Sequence, residues 1–251
     1  DKDTLGRAVK HFLFIANSHH AYTAWALQRD KDKEPDTGRI DRRGTRTEDG
    51  KQGDRKVFFH YDGHDVPVML LARGEVFSYK DRRFFTDCKV IYDALKTEAI
   101  SRVHELFCAT SDEKAKTLCD FFPTDSSGRE TCPAVLRFLA YMETREDAEG
   151  IVGREHIDRG GLTFAVRESG PGLELQSKNG LWIPDSPQED TMIAFPGGKL
   201  KTLTSDSNIP IEPTWHQVRG HENRVSDTVI RWSVVFFLHP VGDVAFAATH
   251  R

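Results

Sequence analysis

His156 and Asp158 stand two positions apart in the stretch REHIDRGGLTF, and His216 follows much later in PTWHQV. On extended backbone, positions two apart point to the same face, so an imidazole and a carboxylate can be offered to one point while Ile157 faces away. A nitrogen from His216, carried on a different strand, would complete a face of two histidines and one carboxylate on a metal ion and leave the opposite coordination positions open. A His-x-Asp triplet alone carries little weight in a chain with 11 His and 39 acidic residues.

A second cluster supports it. Arg231, Trp232 and Ser233 open the apolar run VVFFLHP, which reads as a buried strand. A buried arginine needs an anion. Arg231 and Ser233, again on one face, would grip a carboxylate through a forked guanidinium and a hydroxyl. A keto acid held by its far carboxylate could then chelate the metal through its other end. The open metal face is that of non-haem Fe(II) oxygenases.

The order of these motifs resembles the isopenicillin N synthase-like family of 2-oxoglutarate and Fe(II)-dependent dioxygenases. LRFLAY, Leu136 to Tyr141, is similar to the family strand ending in a cosubstrate-binding tyrosine, and HIDRGGLTF to its His-x-Asp strand. GPGLELQSKNGLWIPDSPQEDTMIAFPGGKL resembles the hairpins that follow, and RWSVVFFLHP the Arg-x-Ser strand. The resemblance covers about Leu136 to Pro240. It implies a jelly-roll core, with His156, Asp158 and His216 on Fe(II), and Arg231, Ser233 and Tyr141 on 2-oxoglutarate. It also implies O2-dependent oxidation, expected to be hydroxylation, of a small molecule, with 2-oxoglutarate decarboxylated to succinate and CO2. Asp158 in place of Gly or Ala argues against a halogenase. The family often has asparagine two residues before the tyrosine; here the position is Leu139, which removes an amide contact.

Each assignment has a competitor. His221 lies in the polar turn GHENR, whereas His216 sits beside Trp215 and Val218. Arg224 and Ser226 form a second Arg-x-Ser, in the polar HENRVSDT; the apolar strand after Arg231 favours Arg231, with a long hairpin loop between His216 and that strand. Tyr141 can also be read as a core aromatic. His19, His20 and His104 follow helical patterns and read as surface or packed histidines. Two rival functions share the fold: an iron oxidase that does not use 2-oxoglutarate, for which Arg231 and Ser233 would lack a ligand, and a cupin-like binding protein without turnover.

The elements that must position these residues are mainly strands. VLRFLAY, LTFAV, LELQ, LWIP, TMIAF and VIRWSVVFFL are short runs separated by Gly, Pro, Asn or Asp, the pattern of a sandwich or barrel. The expected class is mainly β with flanking helices around a double-stranded β-helix, or jelly roll. One domain is expected over residues 1–251, with a helix-and-strand part at 1–133 and the catalytic jelly roll at 134–251. In the first part, Leu5, Val9, Phe12, Leu13 and Ala16 predict a helix from Thr4 to about Gln28, capped by Asp3 or Thr4. KVFFHYDG and VPVMLLARGEVFSY predict two strands, and Ile91, Leu95, Ala99, Val103 and Leu106 a long helix over Phe84 to Phe107. Asp120 to Pro133 reads as a loop. Arg29 to Lys56 holds 18 charged residues among 28, too few apolar groups to order itself, and is expected to be a solvated loop or lid.

Composition limits the partners. With 251 residues, a net charge of -4 and a pI near 6.3, the chain has no general attraction for nucleic acid or anionic membrane, so a small molecule is expected. No apolar run approaches a membrane span, and no leader pattern opens the sequence. Cys88, Cys108, Cys119 and Cys132 form no C-x-x-C pair; scattered reduced thiols suit a cytoplasmic protein without structural zinc.

Overall fold

The structure is a computed structural model describing residues 2–17, 40–43, 56–64, 78–108, 117–124, 132–142, 150–186, 190–206, 210–220 and 225–241. Helix α1 spans Lys2–Asn17, α2 Tyr79–Cys108 and α3 Gly198–Thr204, with a 3-10 turn at Thr117–Phe121. The strands are β1 Ile40–Arg43, β2 Lys56–Tyr61, β3 Ala134–Met142, β4 Ile151–His156, β5 Leu162–Glu168, β6 Leu173–Gln176, β7 Trp182–Pro184, β8 Ile193–Pro196, β9 His216–Arg219 and β10 Val229–Leu238. They form a six-stranded sheet, β1-β2-β3-β10-β5-β8, and a four-stranded sheet, β4-β9-β6-β7. Four strands of the larger sheet, β3, β10, β5 and β8, and the whole smaller sheet make the expected jelly roll; β1 and β2 extend the larger sheet.

Strand alternation divides the apolar residues into two layers. On β3 and β10, Leu136, Phe138, Ala140, Val234, Phe236 and Leu238 join α1 and α2 in the main core. The helices reach it through Phe12, which lies 5.7 Å from Phe138, and Phe84, which lies 4.9 Å from Phe59, measured between ring centres. The alternate residues Leu139, Tyr141 and Val235 face between the sheets, with Phe58, Val152, Leu173, Phe195 and Val218. Arg231 and Ser233 share that inward row, so the jelly-roll interior is where their polar groups must be satisfied.

Several expectations change. Helix α1 begins at Lys2, which places Asp3 and Thr4 inside its first turn instead of at a cap. It is described as far as Asn17, so the stretch from 18 to 28, with His19 and His20, lies outside the described residues, as does 65–77 with the second predicted strand. Within the charged segment, Ile40–Arg43 is a strand paired antiparallel with β2, because backbone pairing on a sheet edge needs no apolar side chains; the rest of 29–55 is outside the described residues. GGKL forms α3 instead of ending a hairpin. The connection between His216 and Arg231 is not a hairpin, since β9 and β10 lie in different sheets and it crosses between them. Cys119 is in a disulfide, so the thiols are not all reduced, while Cys88 and Cys132 are free and buried. His104 packs as read, with Nε2 2.6 Å from the Phe122 carbonyl. Among the described residues, no helix is long and apolar enough to cross a membrane.

Candidate metal and cosubstrate site

His156 ends β4 and His216 opens β9, and the two are direct partners in the antiparallel register. Their rings lie 4.2 Å apart between centres. Asp158 is not on the strand: β4 stops at His156, and the chain bends immediately after Asp158, at 159–161. Its carboxylate returns to the histidines because the turn is held from two sides. The Thr163 hydroxyl donates to Asp158 Oδ2 at 2.6 Å, and the Gly198 amide donates to the Asp158 carbonyl at 2.7 Å. A Cβ at Gly197 would collide with the Gly160 carbonyl oxygen and come within 2.8 Å of that of Asp158, so only glycine lets the chain pass there.

One ligand atom from each of His156, Asp158 and His216 lies within 4.8 Å of the others. The two histidine Nε2 atoms each lie 3.7 Å from an Asp158 oxygen. His156 Nδ1 lies 2.7 Å from the Arg154 carbonyl and His216 Nδ1 3.2 Å from that of Thr214. Donation from both Nδ1 atoms turns the Nε2 lone pairs toward the shared point, as a metal requires. His216 is buried and His156 exposed. Burial holds the His216 imidazole below its ordinary range, with Asp158 opposing, and this favours the neutral form that ligates metal. Two imidazoles and one carboxylate fit Fe(II).

The second cluster lies farther along the interior. Arg231 is directly opposite Tyr141 in the β10–β3 register, and Ser233 opposite Leu139. The Arg231 side chain is 0% exposed. Its Nη1 donates to the carbonyls of Gly170 and Pro171, while Nε and Nη2 have no hydrogen-bond partner among the described residues. This Nε/Nη2 edge is the side on which a guanidinium takes a carboxylate in a two-point contact. Gly172, at φ +144°, makes room for the arginine; a Cβ there would meet Nη1 at 2.9 Å and the Arg219 carbonyl at 2.5 Å.

Sequence reasoning missed an acidic neighbour. Glu168 Oε2 lies 2.5 Å from Arg231 Nη2. Period-two counting from Thr163 points Arg167 inward and Glu168 outward. A bulge in β5, between the residues facing Val234 and Val235, reverses that parity and sets Glu168 opposite Ser233. The competing Arg-x-Ser has a different setting. Ser226 lies in the turn before β10, where its hydroxyl accepts from the Val229 amide at 3.0 Å. Arg224 and His221 lie outside the described residues.

Residues 133–240 match the family model of the 2OG-Fe(II) oxygenase superfamily. That stretch, which carries every candidate site residue, is similar to the superfamily. No curated protein sequence matches it. Its fold is similar to that of a full-length Neurospora crassa protein in complex with alpha-KG, at TM-score 0.68 and 19% identity over 96% of this chain and 73% of the other. It is also similar to AtDAO1, a dioxygenase for auxin oxidation from Arabidopsis thaliana, in its 2-oxoglutarate complex, at TM-score 0.63 and 14% identity over 96% and 79%. JOX2 in complex with 2OG, Fe and JA matches at TM-score 0.68 and 18% identity over 97% and 66%. Together these matches support an oxygenase that uses Fe(II), 2-oxoglutarate and O2.

Proposed function

We propose that this oxygenase hydroxylates a small organic molecule, with His156, Asp158 and His216 holding Fe(II) and Arg231, Ser233 and Tyr141 holding the far carboxylate of 2-oxoglutarate. The observation that carries the reading is the convergence of three ligand atoms within 4.8 Å, on side chains whose other polar atoms are already engaged. Bound Fe(II) supplies O2 activation coupled to decarboxylation of 2-oxoglutarate to succinate and CO2. The protein's own part is to position and enclose. Thr163 fixes the Asp158 carboxylate, the Arg154 and Thr214 carbonyls fix the imidazole tautomers, and the apolar row of Leu139, Val152, Phe195 and Val218 excludes water.

The Nε/Nη2 edge of Arg231, which makes no hydrogen bond among the described residues and meets Glu168 only as an ion pair, favours this reading over an oxidase that does without 2-oxoglutarate. The molecules bound in the comparison structures include thymine in the Neurospora crassa protein and JA in JOX2, which supports a small-molecule substrate here without fixing which one. Anaerobic loading with Fe(II), followed by a metabolite screen read out as succinate formation, tests the activity. Asp158→Ala should lose both the iron and the succinate signal; retention of iron by this variant would remove Asp158 from the site.

A further inference from the structure

Arg231 already has a carboxylate beside it. Its five N–H groups divide into two on Nη1, spent on the Gly170 and Pro171 carbonyls, and three on Nε and Nη2. Glu168 Oε2 lies 2.5 Å from Nη2, yet that contact lacks hydrogen-bond geometry, and Glu168 Oε2, Nε and Nη2 all remain without a hydrogen bond among the described residues. The Glu168 side chain is 6% exposed and that of Arg231 0%. Such a pair is a charge balance without being a completed fork. It neutralises a buried guanidinium but leaves the edge that binds a carboxylate in two points unfilled.

Resting on the functional reading above, we propose that Glu168 is the resident counterion of Arg231, and that the far carboxylate of 2-oxoglutarate takes over this role while Glu168 picks up a proton. Two carboxylates sharing one buried guanidinium cannot both stay ionised at low cost, because the second negative charge has no cation of its own. Protonated Glu168 becomes a donor and can hydrogen-bond the incoming carboxylate. The charge around it favours this. On β5, Arg167 points to solvent and the inward acid is Glu168; from β10 comes Arg231, and from β3 Tyr141, opposite Arg231. Beyond the end of β7, Asp185 adds negative charge, and the ion pair of Lys2 on α1 with Asp190, at 2.8 Å, is neutral overall. Lys2, Arg167, Asp185 and Asp190 line a cleft of about 750 Å³ between α1, α2 and the β5–β8 edge, which Glu168 also lines and through which a proton can reach it. Burial already pushes the Glu168 carboxyl above its usual range, with Arg231 opposing and Asp185 adding to the rise. Transfer of the arginine to another carboxylate removes the opposing influence.

The sign of the linkage is fixed. Binding raises the proton affinity of Glu168, so 2-oxoglutarate should bind with uptake of a proton, and its Kd should rise with pH by as much as about tenfold per unit across the window between the free and bound titrations of Glu168. The test is calorimetric titration of 2-oxoglutarate into the anaerobic Fe(II) protein between pH 6 and 8, in two buffers of different ionisation enthalpy. Wild type should take up close to one proton at some pH in that range, and Glu168→Gln should bind 2-oxoglutarate with that uptake gone and its Kd flat with pH. A merely structural counterion would raise Kd on substitution and leave the proton count unchanged, which overturns the proposal. Zero uptake by wild type across the range also overturns it, and that measurement needs no variant should Glu168→Gln fail to fold. Absence of any 2-oxoglutarate binding overturns the functional reading, and this inference with it.

Discussion

Replacing Arg231 with methionine separates its two duties. The change keeps an unbranched apolar stem in a site of 0% exposure and removes every N–H. In the free protein it leaves Glu168 buried without a cation. Breaking a buried pair from one side costs about 3–5 kcal/mol, which for a chain of this size corresponds to roughly 6–20 °C in Tm. Pairing it with Glu168→Gln should recover much of that loss, because the stranded charge is gone. Cosubstrate binding should not recover. Loss of a desolvated, charge-assisted contact costs about 2–5 kcal/mol, so Kd for 2-oxoglutarate should rise from about 30-fold to several thousand-fold in both the single and the double variant. Thermal melts and calorimetry on wild type, Arg231→Met and the double variant give all the terms. A double variant that melts near wild type and also binds 2-oxoglutarate near wild type would refute the reasoning, since Arg231 would then be only Glu168's partner.

Thr163→Val removes the hydroxyl that donates to Asp158 at 2.6 Å while keeping the shape of a buried side chain. Iron affinity, measured by competition with a chelator, should fall about 10–100-fold with little change in the metal-free melt, and an unchanged affinity would deny the turn its orienting role. Burial pushes the Cys132 thiol up to about 11 and raises Cys88 well above its ordinary value. Neither should be alkylated in the native protein at pH 7.5, where the thiolate is scarce, and both should be after denaturation; peptide mapping that finds native labelling at either would contradict their placement.

The convergence of His156, Asp158 and His216 was legible in the sequence because it depends on residue types in local context. The apolar run after Arg231 marked that residue as buried; burial is a property a single strand announces through its own pattern. The jelly roll was legible for the same reason, as a succession of short apolar runs broken by turn residues. Tertiary structure decided what depends on register. Asp158 reaches the histidines from beyond the end of β4 only because Thr163 and the glycines at the start of α3 hold the chain there. The strand at Ile40–Arg43 exists through backbone pairing with β2, which a charged sequence does not disclose. Glu168 faces Arg231 because one extra residue in β5 reverses which side its carboxylate takes, and no count along the chain reveals a bulge before the partner strand is known. The sequence by itself thus determined which groups are candidates for the chemistry and that Arg231 is buried; the fold decided which anion meets it, because pairing across 63 residues is set by strand register and not by local composition.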